Sequence, residues 1–146
     1  MADIGKNNQN KLGSSTEEEI AEWFKAHQFV AFVVPKSRNG QPFDIIAVKQ
    51  VSDEKVIFFG VDAKHLELSK KSFTFDRIEP NQKTSMRFAR LLGGIKNLGF
   101  VIKSEIDPSR LLFLPYDRFV EEEINGAKSV KLESLEDMEE VLCKLL

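Results

Sequence analysis

Cysteine, histidine, tryptophan and tyrosine are nearly missing: the 146 residues hold one Cys, two His, one Trp and one Tyr. A lone Cys143 forms no internal disulfide, which fits a reducing, cytoplasmic location. With only His27 and His65 beside it, the chain has too few soft ligands for a zinc cluster. No apolar run approaches the roughly 20 residues that cross a bilayer, so no membrane span is expected. The first thirteen residues, MADIGKNNQNKLG, lack both the apolar stretch of a secretory signal and the periodicity of a packed element. They are expected to form a flexible segment ahead of one domain over 14–146. A chain of this length buries roughly 70% of its unfolded surface, enough for a core of its own.

A basic excess is lacking too, since the formal net charge is −2. The average hides an asymmetry. Residues 1–22 hold two Lys against five acids and residues 120–146 three Lys against eight, so 16 of the 21 bases and 10 of the 23 acids fall in 23–119, a net of +6 there. Such a centre can bind a phosphate backbone, because the field over the binding face is what counts.

What is present is mostly periodic. Ser15 with Glu18 three residues later has the form of a capping box, so a first helix is predicted to start near Ser14 or Ser15 and end near His27. FVAFVV at 29–34 reads as a strand, and PKSRNGQP at 35–42 as a loop. FDIIAV (43–48) and KVIFFGVDAKHL (55–66) read as hairpin-linked central strands. After a less regular 67–80, a helix is predicted from Asn81 to Leu92, ending at Gly93–Gly94. Strands follow at 98–103 and 110–115, then a short helix or turn from Tyr116 to Glu123 and an edge strand from Ala127 to Leu132. Ser134 is predicted to cap a last helix with Leu135, Met138, Leu142 and Leu145 on one face. The expected fold class is α/β, a mixed central sheet flanked by helices.

Chemistry collects on these strands. Asp62 and Lys64 are two apart and share a face with Val56, Phe58 and Leu66, while Ile57, Phe59, Val61 and Ala63 line the other. Both faces are apolar, so the strand is central, and charges on it need partners or a metal. Taken alone, D-x-K is more often a salt bridge at a sheet rim. Hairpin pairing, however, can bring Asp44 beside Asp62. Two close carboxylates need a cation to stay ionised together, and hard oxygen donors suit Mg²⁺, with Mn²⁺ as substitute. By itself Asp44 also reads as a strand-start aspartate. Glu17 shares a helical stripe with Ile20, Ala21 and Phe24, which turns it inward. Its bland alternative is a first-turn acid favoured by the helix dipole.

P-F-D (42–44) and V-D-A-K (61–64) resemble the two halves of the PD-(D/E)XK nuclease signature. G-x-x-x-E-x-x-I-A-x-x-F (13–24) is similar to the opening helix of Holliday junction resolvases, bacterial RecU-type or archaeal Hjc-like, and RLLFLPYDRFVEEEINGAKSVKLESLE resembles the RecU-type end. The resemblance implies a restriction-endonuclease-like core in 14–146 and a Mg²⁺-dependent endodeoxyribonuclease that resolves four-way junctions in DNA recombination and repair as a homodimer. It implies Asp44, Asp62 and the Ala63 carbonyl as metal ligands, Glu17 as a further metal-positioning acid, and Lys64 and Gln82 as catalytic groups acting on water or phosphate. Other readings stay open: the same chemistry on another DNA structure in a phage or mobile element, or a non-catalytic DNA-binding module.

The expected DNA contacts are basic. Lys83, Arg87 and Arg90 fall within an arc of about 60° on one helix, roughly opposite Phe88 and Leu92. Lys36, Arg38, Lys70, Lys71 and Arg77 lie in loops around the proposed site.

Overall fold

Apolar strands and amphipathic helices follow one another along the chain much as the periodicity predicts. The computed structural model describes residues 3–36 and 43–146, and of residues 3–14 the backbone alone. In chain order the elements are α1 (Asp3–Ala26), β1 (Val30–Val33), β2 (Ile45–Gln50), β3 (Val56–Leu66), β4 (Ser72–Thr74), α2 (Pro80–Leu91), β5 (Asn97–Ser104), β6 (Leu111–Pro115), α3 (Tyr116–Ile124), β7 (Ser129–Lys131), β8 (Glu136–Asp137) and α4 (Met138–Leu145). Short 3₁₀ turns occupy Phe75–Arg77 and Leu132–Ser134.

Six strands form one mixed sheet in the order β1-β2-β3-β5-β6-β8. The β3–β5 pair is parallel and the other pairs are antiparallel. A parallel pair needs a long crossover, and α2 supplies it. β4 and β7 make a separate two-stranded ribbon. The two faces of the large sheet bury separate apolar clusters. Under α1 and α4 lie Ile20, Phe24, Phe59, Val61, Phe113 and Met138. Phe73, Phe75, Met86, Phe100, Phe119 and Leu135 fill the other face, beneath α2, α3 and the ribbon. β3 serves both, with Ile57, Phe59 and Val61 on the α1 side and Leu66 on the α2 side.

Two glycines on the central strands make room for neighbours. A Cβ on Gly60 would lie 2.9 Å from the Phe43 ring, so its absence lets that ring sit against β3 and fixes the residue before Asp44. At Gly99 a Cβ would come within 2.2 Å of the Leu114 carbonyl oxygen, on the paired strand. Backbone cannot yield as a flexible side chain does. Gly99→Ala is therefore expected to destabilise the fold by about 3 kcal/mol or more, read as a lowered urea midpoint.

Three elements differ from the sequence expectation. The first helix is already formed at Asp3, so Ser15 lies within it and is no cap; no proline interrupts the chain before Pro35, and Gly5 and Gly13 each cost only about 1 kcal/mol in a helix. The last helix is capped by Asp137, whose carboxylate accepts from the Glu140 amide at 2.9 Å. Ser134 sits in the preceding 3₁₀ turn, and β8 intervenes, so Leu135 packs on the α2 face while Met138 and Leu142 pack on the α1 face. The edge strand expected at 127–132 pairs with β4 in the ribbon, within the segment read as irregular. The loop predicted at 35–42 falls largely outside the described residues.

Candidate active site

The β2–β3 hairpin brings two carboxylates together. Register carries Ile45 opposite Val61, which sets Asp44 beside Asp62 across the pair. The Asp44 amide donates to the Val61 carbonyl at 3.1 Å and to Asp62 Oδ1 at 3.2 Å. In return the Ala63 amide donates to Asp44 Oδ2 at 2.9 Å. Main-chain donors thus hold both side chains at defined rotations. Asp62 is 2% exposed, and its second oxygen, Oδ2, is buried with no hydrogen-bond partner among the described residues. A buried anionic oxygen without a donor is costly, and a bound cation removes that cost.

Lys64 leaves the same strand toward α2. Its ammonium donates to the Arg77 carbonyl at 2.9 Å and to Gln82 Oε1 at 3.0 Å. That amide oxygen also accepts from the Glu79 amide at 3.1 Å, so the N-terminus of α2, with Pro80 in its first turn, presents Gln82 to Lys64. Arg77 is itself anchored, Nη1 donating to the His65 carbonyl at 2.7 Å. The expectation for Gln82 was a water or phosphate ligand; here its oxygen is engaged by Lys64 and the Glu79 amide.

Glu17 is buried on the inward stripe of α1, with Thr16, Ile20, Ala21 and Phe24, as the spacing predicts. Lys36, largely exposed, approaches it with Nζ 3.8 Å from Oε1. Burial and then the nearby charge of Asp44 raise the Glu17 carboxyl above its ordinary range. Burial, followed by Asp44, pushes Asp62 up to about 7. Burial lowers Lys64, against the pull of Asp62 and Asp44. Groups forced away from their ordinary ionisation in one small volume cluster at functional sites, which makes this hairpin the candidate.

Could these donors hold an ion? Among the described residues no group of three or more His, Cys, Asp or Glu side chains is gathered into a ready cage. Two hard carboxylates with one oxygen left over suit Mg²⁺ or Mn²⁺, which keep several waters and bind through one or two carboxylates plus substrate phosphate.

The expected basic contacts divide into three groups. Lys70, Lys71 and Arg77 are exposed, while Arg38 lies outside the described residues. The ridge on α2 is largely committed elsewhere: Lys83 pairs with Glu123 at 2.9 Å, and Arg90 makes a forked contact to Asp117. Only Arg87 of the three forms no ion pair among the described residues. The cause is packing, for α2 buries Met86 and leaves Phe88 and Leu92 exposed, which turns the ridge toward α3 and not away from the core.

One part of the site went unpredicted. His65, Thr16 and Glu105 form a linked set beside Glu17. The readable signal was Thr16, a polar residue four before Ile20 on the buried stripe.

No family model matches the chain, and no curated protein matches it. A solved structure does: it is similar to Archaeoglobus fulgidus Hjc, a Holliday junction resolvase from an archaeal hyperthermophile, with a TM-score of 0.56 and 17% identity over 92% of this chain and 98% of that one. The fold is resolvase-like. At this identity the likeness is one of fold, a mixed α/β sheet flanked by helices with a restriction-endonuclease-like core. In the resolvase-like frame one carboxylate, Asp44, directly precedes β2 and the other, Asp62, stands on β3, with Lys64 beyond them toward α2. Among the described residues no helix is long and apolar enough to cross a membrane.

Proposed function

We propose that the chain is a divalent-metal-dependent endodeoxyribonuclease that cuts branched DNA, with four-way junctions as its substrate. The observation that carries this reading is Asp62 Oδ2, a buried carboxylate oxygen with no donor among the described residues, beside a second carboxylate and a lysine on one hairpin. The resolvase-like fold supports it.

Asp44, Asp62 and the main-chain carbonyl of Ala63 would hold Mg²⁺, with Glu17 as a further anionic donor. When bound, the ion polarises a phosphate and lowers the pKa of water. The chain's own groups do the rest. Lys64 orients the attacking water or offsets charge growing on the phosphate oxygens. Gln82 holds that ammonium in place, leaving its amide nitrogen to donate to water or phosphate. Lys36, Lys70, Lys71, Arg77 and Arg87 are exposed bases available to the DNA backbone. Lys83 and Arg90 would first have to leave their acidic partners.

Two cuts per junction call for two sites, hence a homodimer. Val30 and Phe32 on the edge strand β1, and Val56 on β3, are exposed apolar residues of the kind such an interface covers.

A gel assay of a synthetic four-way junction against linear duplex of the same sequence, with and without Mg²⁺, tests the reading. Cleavage of the junction only with Mg²⁺ is expected. Metal-independent cleavage, or none on any DNA with Mg²⁺ or Mn²⁺, overturns it. Duplex cut as readily as junction would keep the chemistry and remove the junction.

A further inference from the structure

Burial of a polar ring between two elements of the site needs an explanation that packing does not supply. The His65 side chain is 15% exposed and stands on β3 directly after Lys64. Because side chains alternate along a strand, its ring leaves on the face opposite Lys64, the side covered by α1. There Nε2 meets Glu105 Oε1 at 2.9 Å. A carboxylate only accepts, so Nε2 carries the proton, and in the neutral ring Nδ1 is the acceptor.

What Nδ1 faces is the hydroxyl of Thr16, 3.4 Å away and 2% exposed as a residue, immediately before Glu17. Glu105 is fixed as well, its Oε2 accepting from the Leu68 amide at 3.1 Å and its own amide donating to the Leu66 carbonyl at 2.9 Å. A chain of polar contacts therefore runs from the end of β3 through Glu105 and His65 to α1 at Thr16, next to Glu17. The same residue serves the other arm through its backbone, since the His65 carbonyl accepts from Arg77, whose carbonyl in turn accepts from Lys64.

We propose that His65 is a positioning residue: held by Glu105, its ring fixes Thr16 and so sets where Glu17 stands relative to the hairpin carboxylates. The inference rests on the nuclease reading above. Groups that orient a metal's ligands typically matter by 10- to 100-fold in metal affinity or activity when removed.

Four variants separate positioning from mere packing. Thr16→Val keeps the shape and removes the hydroxyl, whereas Thr16→Ser keeps the hydroxyl. His65→Asn keeps an acceptor near the Nδ1 position, and His65→Gln reaches only toward Glu105. The readouts are Mn²⁺ affinity by calorimetry, single-turnover cleavage of a saturating four-way junction, junction affinity, and the ring nitrogen signals of His65 by NMR. Thr16→Val and His65→Gln are expected to weaken Mn²⁺ binding and slow cleavage about tenfold, with junction affinity unchanged. Thr16→Ser and His65→Asn should recover most of both. Thr16→Val should also move the Nδ1 signal. Wild-type values in Thr16→Val and His65→Gln, in a protein that binds Mn²⁺ and cuts, overturn the inference alone. So do losses that track thermal stability across all four variants. Should the wild type neither bind Mn²⁺ nor cut DNA, it is the nuclease reading that fails.

Discussion

Asp62→Asn is expected to abolish metal-dependent cleavage, on the order of a thousandfold or more, while making the metal-free protein more stable near pH 7. The two effects have one cause. Asp62 is 2% exposed, and ionising it leaves a buried charge beside Asp44 with one oxygen lacking a donor among the described residues. Asparagine retains the acceptor for the Asp44 amide and carries no charge to be buried beside Asp44. The electrostatic cost goes along with the metal ligand. On the proposed function, DNA binding should be unchanged or slightly tighter, because one anionic charge is removed from the site that would receive the phosphate. Cleavage rates, urea midpoints and junction affinity on the purified variant give all three readings. A variant that cuts like wild type would mean that the site is wrongly assigned, and one that is less stable would mean that Asp62 is held by contacts other than those described.

Stability without metal is expected to fall as pH rises from about 4 to about 7, against the usual trend for carboxylates. The Asp62 carboxyl in the folded protein lies up at about 7, chiefly through burial and secondarily through Asp44. Its ordinary value is 3.8. Between those two pH values the folded state holds a proton that the unfolded chain has released, so raising pH favours unfolding. The full span is worth on the order of 4 kcal/mol. Glu17, also raised, acts in the same sense, and Lys64, lowered by burial, acts oppositely in the alkaline range. Mn²⁺ should cancel the decline because it binds the deprotonated carboxylates, so its stabilising effect should be larger at pH 8 than at pH 5. Chemical denaturation at a series of pH values, with Mn²⁺ and with chelator, checks this. A flat metal-free profile would show that Asp62 titrates near its ordinary value.

The strands of the candidate site were readable because their signals are local. A period of two puts Asp62 and Lys64 on one face of β3, a hairpin length sets Asp44 opposite Asp62, and a helical stripe turns Glu17 inward. Contacts across the chain left no such mark. Thr16 and His65 are 49 residues apart, and nothing in either segment names the other. The ridge of Lys83, Arg87 and Arg90 was placed by helical angle alone. That angle fixes which residues share a face, whereas the neighbouring helix decides where the face looks, and α3 offers Glu123 and Asp117. Leu135 failed similarly: its spacing matched the last helix, but two residues of β8 pairing with β6 reversed its direction.

Crystals of the protein soaked in Mn²⁺, with anomalous scattering recorded at the manganese edge, show whether the hairpin carboxylates hold a divalent ion. A peak bonded to Asp62 Oδ2 and to the Asp44 carboxylate, absent from Asp62→Asn, is the expected result. Manganese bound elsewhere, or no peak at the hairpin in the wild type, would contradict it.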